Sequence, residues 1–297
     1  MENRSTLLVG SMSKKIIVTG GEGFIGGHLV QRLLNEGFFV KVIDDERSGT
    51  YKIQHKNVYY HNQDVANYKL NCFDNEAVAI FHLANSPRVR RALDYPFDTM
   101  KNNIGTTLNV LEMAHEIKCP LYFSTSSSTK YTEAFTNPYT VSKSMCEDLI
   151  SFFDNYLKER STLMYYYNVF GPGEADYGEY STVIRRFKQK ILNNEPLVIF
   201  GDGTKKRAFT HVYDVVDGMM KMLYSKEQPK EVHFGSRTST TIQDVADAFN
   251  HPIEYQDNLP GEALATACED PYIECNINVI DYIRNWKSAS DFSVWNV

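Results

Sequence analysis

Residues 15–27 read KIIVTGGEGFIGG, and this stretch decides the fold of the chain. The run Lys15–Thr19 is short, apolar and β-branched, as in a buried strand. The turn Gly20-x-x-Gly23-x-x-Gly26 follows it directly. Apolar residues then recur at helical spacing, at Ile25, Leu29, Val30, Leu33 and Leu34. A strand, a glycine-rich turn and a helix in this order predict a phosphate-binding turn, in which the helix N-terminus supplies free N–H groups.

The next strand ends in an acid that suits the ribose of a nucleotide. Asp44 follows the apolar run 39–43 and lies 18 residues after Gly26. A carboxylate there can accept hydrogen bonds from both ribose hydroxyls and repels a 2′-phosphate, so it favours NAD over NADP. Asp45 adds negative charge, whereas Arg47 argues for NADP, because a guanidinium can hold a 2′-phosphate. We predict NAD as the cofactor, with a solvated acidic loop as the alternative interpretation of these acids.

Strands and helices alternate through the first half of the chain. A helical stretch ends near residues 109–117. Further patterns of buried strands occur at residues 58–60, 78–83, 121–123 and 162–168. This alternation predicts an α/β fold with a Rossmann-type, doubly wound parallel sheet. The chain then becomes rich in turns, which predicts a smaller C-terminal substrate-binding domain.

The predicted organisation has three parts. We expect residues 1–13 to form a mobile leader, because Met12 offers an alternative start, and their apolar patch is too short for a signal peptide. Residues 14–167 form the predicted NAD-binding domain, and residues 168–297 the smaller domain. Part of 205–235 is expected to return to the first domain.

The composition excludes several other classes of protein. The 297 residues carry 31 Lys and Arg against 37 Asp and Glu, a net charge of −6, which does not suit general binding to nucleic acids or to an anionic membrane surface. The sequence has no apolar run of about 18 residues, the length that a membrane span needs. The five cysteines form no Cys-x-x-Cys motif, and the eight histidines show no metal-ligand spacing. We expect a cytoplasmic protein with reduced thiols and without a metal, nucleic-acid or membrane partner.

A tyrosine and a lysine stand one helical turn apart near the middle of the chain. Residues 137–143 read NPYTVSK, in which Asn137 suits a helix N-cap and the following proline suits the first turn. Tyr139 and Lys143 are then i and i+4 on one helical face. A lysine ammonium beside a phenol favours the phenolate and lowers the tyrosine pKa from about 10 toward the range of a general base. Alone this pattern is a common accident, but behind a cofactor turn it predicts a catalytic pair.

A cluster of small hydroxyl residues precedes this pair. Residues 124–129 read STSSST and directly follow the strand predicted at 121–123, so that one hydroxyl can lie beside the reacting carbonyl. Counting forward from the strand selects Ser126, and counting back from Tyr131 selects Ser127. Both remain candidates for the catalytic hydroxyl, and a strand end capped by small polar residues is the alternative interpretation.

Five further sequence blocks follow one another along the chain: VIDDERSG, FHLA, NNIGTTLNVLEMA, YYYNVFGPG and FGDGTKKRAFTHVYD. Together with TGGEGFIG and PYTVSK, they resemble the extended short-chain dehydrogenase/reductase family, in its NAD-dependent epimerase/dehydratase branch. The resemblance runs from about Lys14 to Asp217. It implies an enzyme that oxidises the sugar of a nucleotide sugar at C4, with Tyr139 taking the hydroxyl proton and NAD taking the hydride.

The resemblance also implies further binding residues. For the cofactor, these are residues near the phosphates, the adenine and the nicotinamide side, namely Phe24 and Ile25, Asp64 and Val65, and Leu83, Ala84 and Asn102. For the substrate, Asn168 would hold the sugar nucleotide, and Arg207 would clamp its diphosphate with a guanidinium fork. A surface charge in the run 205–207 is the alternative interpretation of this arginine.

The composition of the hydroxyl cluster bears on the reaction. Dehydratases that resemble this chain carry Thr-Asp-Glu in the cluster, and the decarboxylases typically carry Ser-Thr-Ser-Glu, whereas this chain has no acid between Ser124 and Tyr131. By elimination we predict a 4-epimerase, which oxidises the sugar, lets the 4-keto sugar rotate and reduces the other face. The expected substrate is a UDP-sugar of the UDP-glucose or UDP-N-acetylglucosamine kind. The alternatives are a 4,6-dehydratase, a decarboxylase or a 4-reductase on the same fold, and more remotely a non-catalytic NAD-binding regulator.

This sequence departs from the family pattern at several places, and two of them concern arginines. Tyr165 stands where many relatives have an arginine, and residues 258–262 (NLPGE) lack the arginine that usually precedes Pro-Gly. The resemblance further implies a homodimer that pairs the helices near Thr107–Ile117 and Val141–Leu157. Apolar residues beyond one core-facing stripe agree with this expectation, with core positions as the alternative interpretation: Met113, Met145, Leu149, Phe152 and Phe153.

Overall fold

The computed structural model describes most of the chain. The described residues are 14–47, 51–72, 74–87, 89–131, 137–157, 160–174, 181–257 and 265–286. The leader predicted at residues 1–13 and the segment 258–262 lie outside the described residues.

A seven-stranded sheet, in which every neighbouring pair of strands is parallel, forms the centre of the structure. Its strands are β1 (Lys15–Thr19), β2 (Phe39–Asp44), β3 (Val58–Asn62), β4 (Ala77–His82), β5 (Leu121–Ser126), β6 (Ser161–Tyr166) and β7 (Glu231–Phe234). Across the sheet they follow the order β7-β6-β5-β4-β1-β2-β3. The chain builds outward from β1 to one edge, returns to β4 beside β1, and continues to the other edge. The predicted Rossmann-type, doubly wound fold is therefore confirmed, and its switch point lies between β1 and β4.

Helices cover both faces of this sheet and continue into the C-terminal part. They are α1 (Phe24–Asn35), α2 (Val89–Asp94), α3 (Pro96–Ile117), α4 (Ser128–Tyr131), α5 (Pro138–Leu157), α6 (Val183–Leu192), α7 (Val212–Tyr224), α8 (Ile242–Asp247) and α9 (Val279–Asn285). Short 3₁₀ turns occupy Val65–Asn67 and Asp74–Glu76.

The alternation of side chains along β1 divides the core into two layers. Val18 points into a cluster that contains Leu29 of α1 and Met219 of α7. Its neighbour Ile17 belongs to a second cluster, which includes Val110 of α3 and residues of α5. Because both faces of a parallel sheet are covered, β1 carries a continuous apolar run at Ile16–Val18 rather than an alternating pattern, as its sequence predicts.

The sixth strand is shorter than predicted. The pattern at 162–168 predicts one strand, but β6 ends at Tyr166. Asn168 adopts a positive φ of 34°, which interrupts the extended backbone. Val169–Phe170 then forms a separate parallel pair with Thr210–His211. This break turns the chain out of the central sheet and places Asn168 at the junction.

The C-terminal part has a hydrophobic cluster of its own. Two short sheets accompany it: Leu197–Phe200 pairs with Ile253–Gln256, and Lys206–Arg207 lies between Thr240–Thr241 and Ala265–Thr266. The cluster joins α6, α8 and α9 through Phe170, Ile184, Phe187, Leu197, Val245 and Ile283. A separate core is what a smaller domain needs, and the boundary at residues 167–168 remains a prediction. The strand β7, which pairs with β6, belongs to the central sheet.

Helices α3 and α5 pack against one another and expose apolar side chains on their outer surface. On α5, Met145, Phe152 and Tyr156 are exposed, with Phe152 stacked on Tyr156 at 5.7 Å between ring centroids. The assignment of Met113 to this surface is wrong, since Met113 is 2% exposed and lies in the core cluster beneath α3. Leu149 and Phe153 are partly buried against the same cluster.

Two searches of the described residues bear on partners. No helix among them is both long enough and apolar enough to cross a membrane. No group of three or more His, Cys, Asp or Glu side chains in the described ranges is arranged to hold a metal ion.

A buried ion pair joins β2 to the turn before β4. The Lys41 ammonium donates to Asp74 Oδ1 at 2.7 Å and to the Tyr68 hydroxyl at 2.8 Å. Tyr68 in turn donates to Asp74 Oδ2 at 2.6 Å, and the backbone N–H of Asn71 donates to the same oxygen at 2.9 Å. Asp74 has no exposed surface. A buried pair of this kind is costly to break, because the remaining charge is left uncompensated.

We therefore expect Asp74→Ala to lower the free energy of unfolding by about 3–5 kcal/mol, measured by urea denaturation, because Lys41 would remain buried and unpaired. The matched control is Glu76→Gln, which breaks the exposed pair with Lys15 and should change stability by less than about 1 kcal/mol. Equal effects of the two substitutions would contradict this account.

Candidate active site

The glycine-rich turn connects β1 to α1 at the switch point of the sheet. Gly20 has a φ of 71°, and a Cβ there would lie 2.7 Å from the backbone N of Ala84. At Gly26 a Cβ would lie 2.1 Å from the carbonyl oxygen of Gly20. Both positions exclude a side chain, so the backbone of the turn stays open to a ligand. Gly23 is the N-cap of α1 and offers no side chain, which leaves the first N–H groups of the helix for an anion.

One pocket, which we term the cofactor pocket, opens at this turn. It brings together every residue predicted to bind the cofactor: Gly20, Gly23, Phe24, Ile25, Gly26, Asp44, Asp45, Asp64, Val65, Leu83, Ala84, Asn102, Tyr139 and Lys143. These residues come from the ends of β1, β2, β3 and β4 and from α1, α3 and α5, so the sheet order explains why distant segments converge. That each of them contacts the cofactor remains a prediction.

Asp44 is held rigidly at the end of β2. Its Oδ2 accepts the backbone N–H of Glu22 at 2.9 Å, and its Oδ1 accepts the N–H of Glu46 at 2.9 Å. Burial raises the pKa of Asp44, whereas these two N–H donors act in the opposite direction. The carboxylate therefore has a fixed orientation at the edge of the pocket, as a ribose-binding acid requires.

Arg47, which argues for NADP at the level of sequence, is engaged by three acids. Its Nε lies 2.8 Å from Asp45, its Nη2 lies 3.5 Å from Asp64, and its Nη1 lies 3.9 Å from Asp98. A guanidinium that is already paired with carboxylates has less positive charge to offer a 2′-phosphate. This arrangement favours NAD.

Lys143 is buried beneath Tyr139 on the same face of α5. Its ammonium donates to Asn85 Oδ1 at 2.7 Å and to the carbonyl oxygen of Ser124 at 2.8 Å. Burial lowers the pKa of Lys143 to about 8, and nearby Glu147 acts in the opposite direction. At the start of the helix, Asn137 Oδ1 accepts the backbone N–H of Thr140 at 2.9 Å, as expected of an N-cap side chain.

The sequence analysis missed a hydrogen-bond chain that orients this lysine. The Thr19 hydroxyl lies 2.6 Å from His82 Nδ1, and His82 Nε2 lies 3.1 Å from Asn85 Nδ2. Asn85 Nδ2 also donates to the Thr106 hydroxyl. Burial, followed by the charge of Lys143, lowers the pKa of His82 to about 3, so the imidazole is neutral. Asn85 directly follows the FHLA block, and a polar residue at a strand end is the signal that could have identified it.

The hydroxyl cluster contributes to the pocket in a different way from the one predicted. From this cluster, the described lining includes Ser124 and Thr125, and neither Ser126 nor Ser127. Ser126 Oγ accepts hydrogen bonds from the N–H of Ser128 at 3.2 Å and from its hydroxyl at 2.9 Å, which starts α4. Ser127 is buried, and its N–H extends the pairing of β5 with β6. The choice between the two serines as the catalytic hydroxyl remains open.

An acid from α5 reaches the hydroxyl cluster. Glu147 Oε1 accepts hydrogen bonds from the hydroxyls of Thr125 and, at 2.9 Å, Thr129. Its Oε2 accepts the Tyr165 hydroxyl at 3.0 Å. The cluster contains no acid in its sequence, but the folded chain places the carboxylate of Glu147 against it. The signal was present, since Glu147 lies one further turn along the face of Tyr139 and Lys143.

The two residues predicted to bind the substrate lie on neighbouring segments. Asn168 Nδ2 donates to the carbonyl oxygen of Ala208 at 3.0 Å, and Ala208 directly follows Arg207. The Arg207 side chain donates to the carbonyl oxygen of Lys206 at 3.0 Å. Neither Asn168 nor Arg207 is among the described residues that line the cofactor pocket. This is compatible with a substrate site adjoining that pocket, and their role remains a prediction.

A Rossmann-type sheet, a glycine-rich turn and a Tyr-x-x-x-Lys pair define an extended short-chain dehydrogenase/reductase. A model of the NAD dependent epimerase/dehydratase family matches residues 16–235, and the chain belongs to this family. It is therefore an enzyme of the family of nucleotide-sugar epimerases, dehydratases and decarboxylases, with NAD as its cofactor. The open glycine turn and the buried Asp44 fit this cofactor.

The relatives of the chain include more than one activity. It is 27% identical to the UDP-glucose 4-epimerase of Bacillus subtilis, over 86% of this chain and 88% of that protein. It is 28% identical to the UDP-N-acetyl-alpha-D-glucosaminuronate decarboxylase of Bacillus cytotoxicus, over 79% of each. Among solved structures, the UDP-N-acetylglucosamine 4-epimerase from Methanobrevibacter ruminantium M1, in complex with UDP-N-acetylmuramic acid, superposes with a TM-score of 0.80 at 26% identity, over 88% of this chain and 90% of that chain.

We expect Asp44→Ala to weaken NAD binding by about tenfold or more, because hydrogen bonds from ribose hydroxyls to a carboxylate are stronger than those to neutral groups. It should also reduce the preference for NAD over NADP, since the repelling charge is lost. Isothermal titration calorimetry with both dinucleotides measures these effects, with Asp217→Ala, an exposed acid paired with Arg32, as the control. Unchanged NAD affinity in Asp44→Ala would refute this role.

Proposed function

We propose that the protein is an NAD-dependent nucleotide-sugar 4-epimerase acting on a UDP-sugar. It oxidises the sugar at C4, lets the 4-keto sugar rotate and reduces it from the other face. The observation that carries this proposal is the placement of Tyr139 and Lys143 on one face of α5 in the wall of the cofactor pocket, with Lys143 buried and hydrogen-bonded. The UDP-sugar relatives support the substrate class.

In the proposed mechanism, Tyr139 is the general base. As a phenolate it takes the proton of the C4 hydroxyl, and the Lys143 ammonium stabilises the negative charge before this transfer. Asn85 and the carbonyl oxygen of Ser124 hold the ammonium in place. NAD, held by the residues of the cofactor pocket, would supply the hydride acceptor and donor of the cycle and would not be consumed. Tyr139 then gives the proton back to the new C4 hydroxyl.

Two other groups complete the proposed site. A serine hydroxyl, from Ser126 or Ser127, donates a hydrogen bond to the sugar oxygen at C4, where negative charge develops. Asn168 and Arg207 hold the nucleotide part of the substrate, which the contact between Asn168 and the residue after Arg207 supports. Because the diphosphate is held while the sugar is free, the 4-keto sugar can rotate without leaving the site.

A dehydratase or decarboxylase is the second candidate, and Glu147 favours it. Elimination needs an acid or base beyond the tyrosine, and Glu147 is hydrogen-bonded to Thr125, which lines the pocket. Mass spectrometry after incubation with UDP-, dTDP- and GDP-sugars distinguishes the reactions. Epimerisation leaves the mass unchanged and yields a chromatographically distinct sugar, whereas the alternatives lose water or carbon dioxide. A product that has lost either group would replace the epimerase proposal.

We expect Tyr139→Phe to retain binding of the sugar nucleotide and to reduce kcat by about 10²–10⁴-fold, because the ring remains while the proton acceptor is lost. The pH profile adds a second readout. The pKa of Lys143 is lowered to about 8, so its charge is present below this pH and is lost as the pH rises through it. Wild-type kcat/KM should therefore fall above about pH 8, and Lys143→Met should be slower and lack this descending limb. Near-full activity of Tyr139→Phe would exclude Tyr139 as the base.

We also propose that the protein is a homodimer, with the outer surfaces of α3 and α5 as its interface. Phe97 on α3 is 79% exposed, and Phe152 and Tyr156 on α5 are 58% and 72% exposed. Leu108 on α3 and Met145 on α5 are exposed as well, at 42% each. Two copies of such a helix pair, related by twofold symmetry, would bury these residues in a four-helix contact.

Light scattering at micromolar concentration should give a dimer for the wild type and a monomer for Phe152→Glu combined with Tyr156→Glu, because buried, unpaired charges oppose association. Tyr59→Glu is the matched control: Tyr59 is also exposed (48%) but lies on the edge strand β3, away from α3 and α5. A monomeric wild type, or a double variant that remains dimeric, would contradict this interface.

A further inference from the structure

Glu22 is the one acid within the glycine-rich turn, and the proposed chemistry does not use it. It lies between Gly21 and Gly23, and it has no exposed surface. Neither of its carboxylate oxygens has a hydrogen-bond partner among the residues that the structure describes. An ionised carboxylate is costly to bury without hydrogen bonds. Its presence at this position therefore suggests a role other than stability.

Glu22 is directly linked to the ribose-binding acid. Its backbone N–H donates to Asp44 Oδ2 at 2.9 Å. Asp44 forms part of the pocket wall, whereas the Glu22 side chain lies behind that wall. The backbone N–H of Tyr51 donates to the Glu22 carbonyl oxygen at 3.2 Å, so the chain after β2 covers the turn from outside. Asp44 thus lines one corner of the pocket, and the Glu22 side chain is buried behind the same corner.

The other groups that face Glu22 leave this corner negative. The Lys52 ammonium lies 3.7 Å from Glu22 Oε2, but it also bonds Glu46 Oε1 at 2.5 Å. Tyr60 of β3 contributes a neutral phenol. Burial, followed by the charge of Asp44, raises the pKa of Glu22 to about 7. One cation is therefore shared between the carboxylates of Glu22 and Glu46, and Glu22 gains charge as the pH rises through neutrality.

We propose that Glu22 is a second determinant of cofactor choice, which acts with Asp44 to exclude a 2′-phosphate. Two backbone N–H groups offset the charge of Asp44. No hydrogen bond from the described residues offsets the charge of Glu22 in the same way. Where water is excluded, a charge acts over several ångströms, so the field of Glu22 extends through the pocket wall. The neutral 2′-hydroxyl of NAD is not repelled by this field, whereas the 2′-phosphate of NADP is.

The test is Glu22→Gln, which keeps the size of the side chain and removes its charge. Calorimetry at pH 8 without a sugar nucleotide gives the Kd of NADP and of NAD for each protein. We expect the ratio of the Kd of NADP to the Kd of NAD to fall about tenfold, while the Kd of NAD changes less than about twofold. This is in line with a charge effect at short range. Glu76→Gln removes one acid before β4, at the opposite end of the sheet, and should leave the ratio unchanged.

The pH dependence separates the field of Glu22 from that of Asp44. Between pH 6 and pH 8 the ratio should rise more steeply in the wild type than in Glu22→Gln, because Glu22 ionises in this interval. A phosphate monoester also gains charge near pH 6, but this contribution is common to both proteins. Equal slopes in the two proteins would overturn the proposal.

Two further outcomes would overturn it. An unchanged ratio in both Glu22→Gln and Glu22→Ala, while Asp44→Ala changes it, would leave Asp44 as the sole determinant. Equal weakening of both dinucleotides, together with a lower Tm, would make Glu22 a structural residue of the turn. Because cofactor binding is measured without substrate, failure of the epimerase proposal would not affect the result.

Discussion

The close approach of Gly26 to the carbonyl oxygen of Gly20 is the contact on which the rest of the structure depends. With 2.1 Å between that oxygen and a hypothetical Cβ, no side chain fits without moving the start of α1. The contact lets the helix begin directly above the switch point of the sheet, where its N–H groups face the pocket. It also brings the N–H of Glu22 within hydrogen-bond distance of Asp44, so one turn builds both the end of the pocket predicted to bind phosphate and the end predicted to bind ribose.

Charge is distributed unevenly along this pocket. At the nucleotide end, Arg47 is paired with acids and Asp44 is fixed by backbone N–H groups. At the reactive end, a buried ammonium is held by an amide oxygen and a carbonyl oxygen, with no carboxylate among these direct partners of Lys143. Such neutral acceptors orient the lysine without neutralising it, which leaves its charge available to stabilise a phenolate. Glu147 lies one turn deeper and acts on this charge from a distance.

The features that could be predicted from sequence are local ones. The glycine turn and the placement of Tyr139 and Lys143 on one helix depend on spacing within a few residues, so both could be predicted; the catalytic role of the two residues remains a prediction. Asn85 could not be found in this way, because it meets Lys143 across 58 residues of chain and only after β4 and β5 pair. The spacing of Glu147 from Lys143 places it on the same helical face, but its contact with Thr125 spans 22 residues and forms only when α5 packs on β5. Met113 was misassigned because an apolar residue on a long helix looks the same in sequence whether it faces the core or a partner.

The hydrogen-bond chain from Thr19 to Lys143 has a direction. Since His82 is neutral and Nε2 accepts from the Asn85 amide, its proton must reside on Nδ1 and point to Thr19. The amide can then present only its oxygen to the ammonium. Thr19 is also the last residue before the glycine-rich turn. The two ends of the pocket are therefore coupled through this chain: a change at Thr19 that was selected for its effect on the turn would also alter the orientation of Lys143.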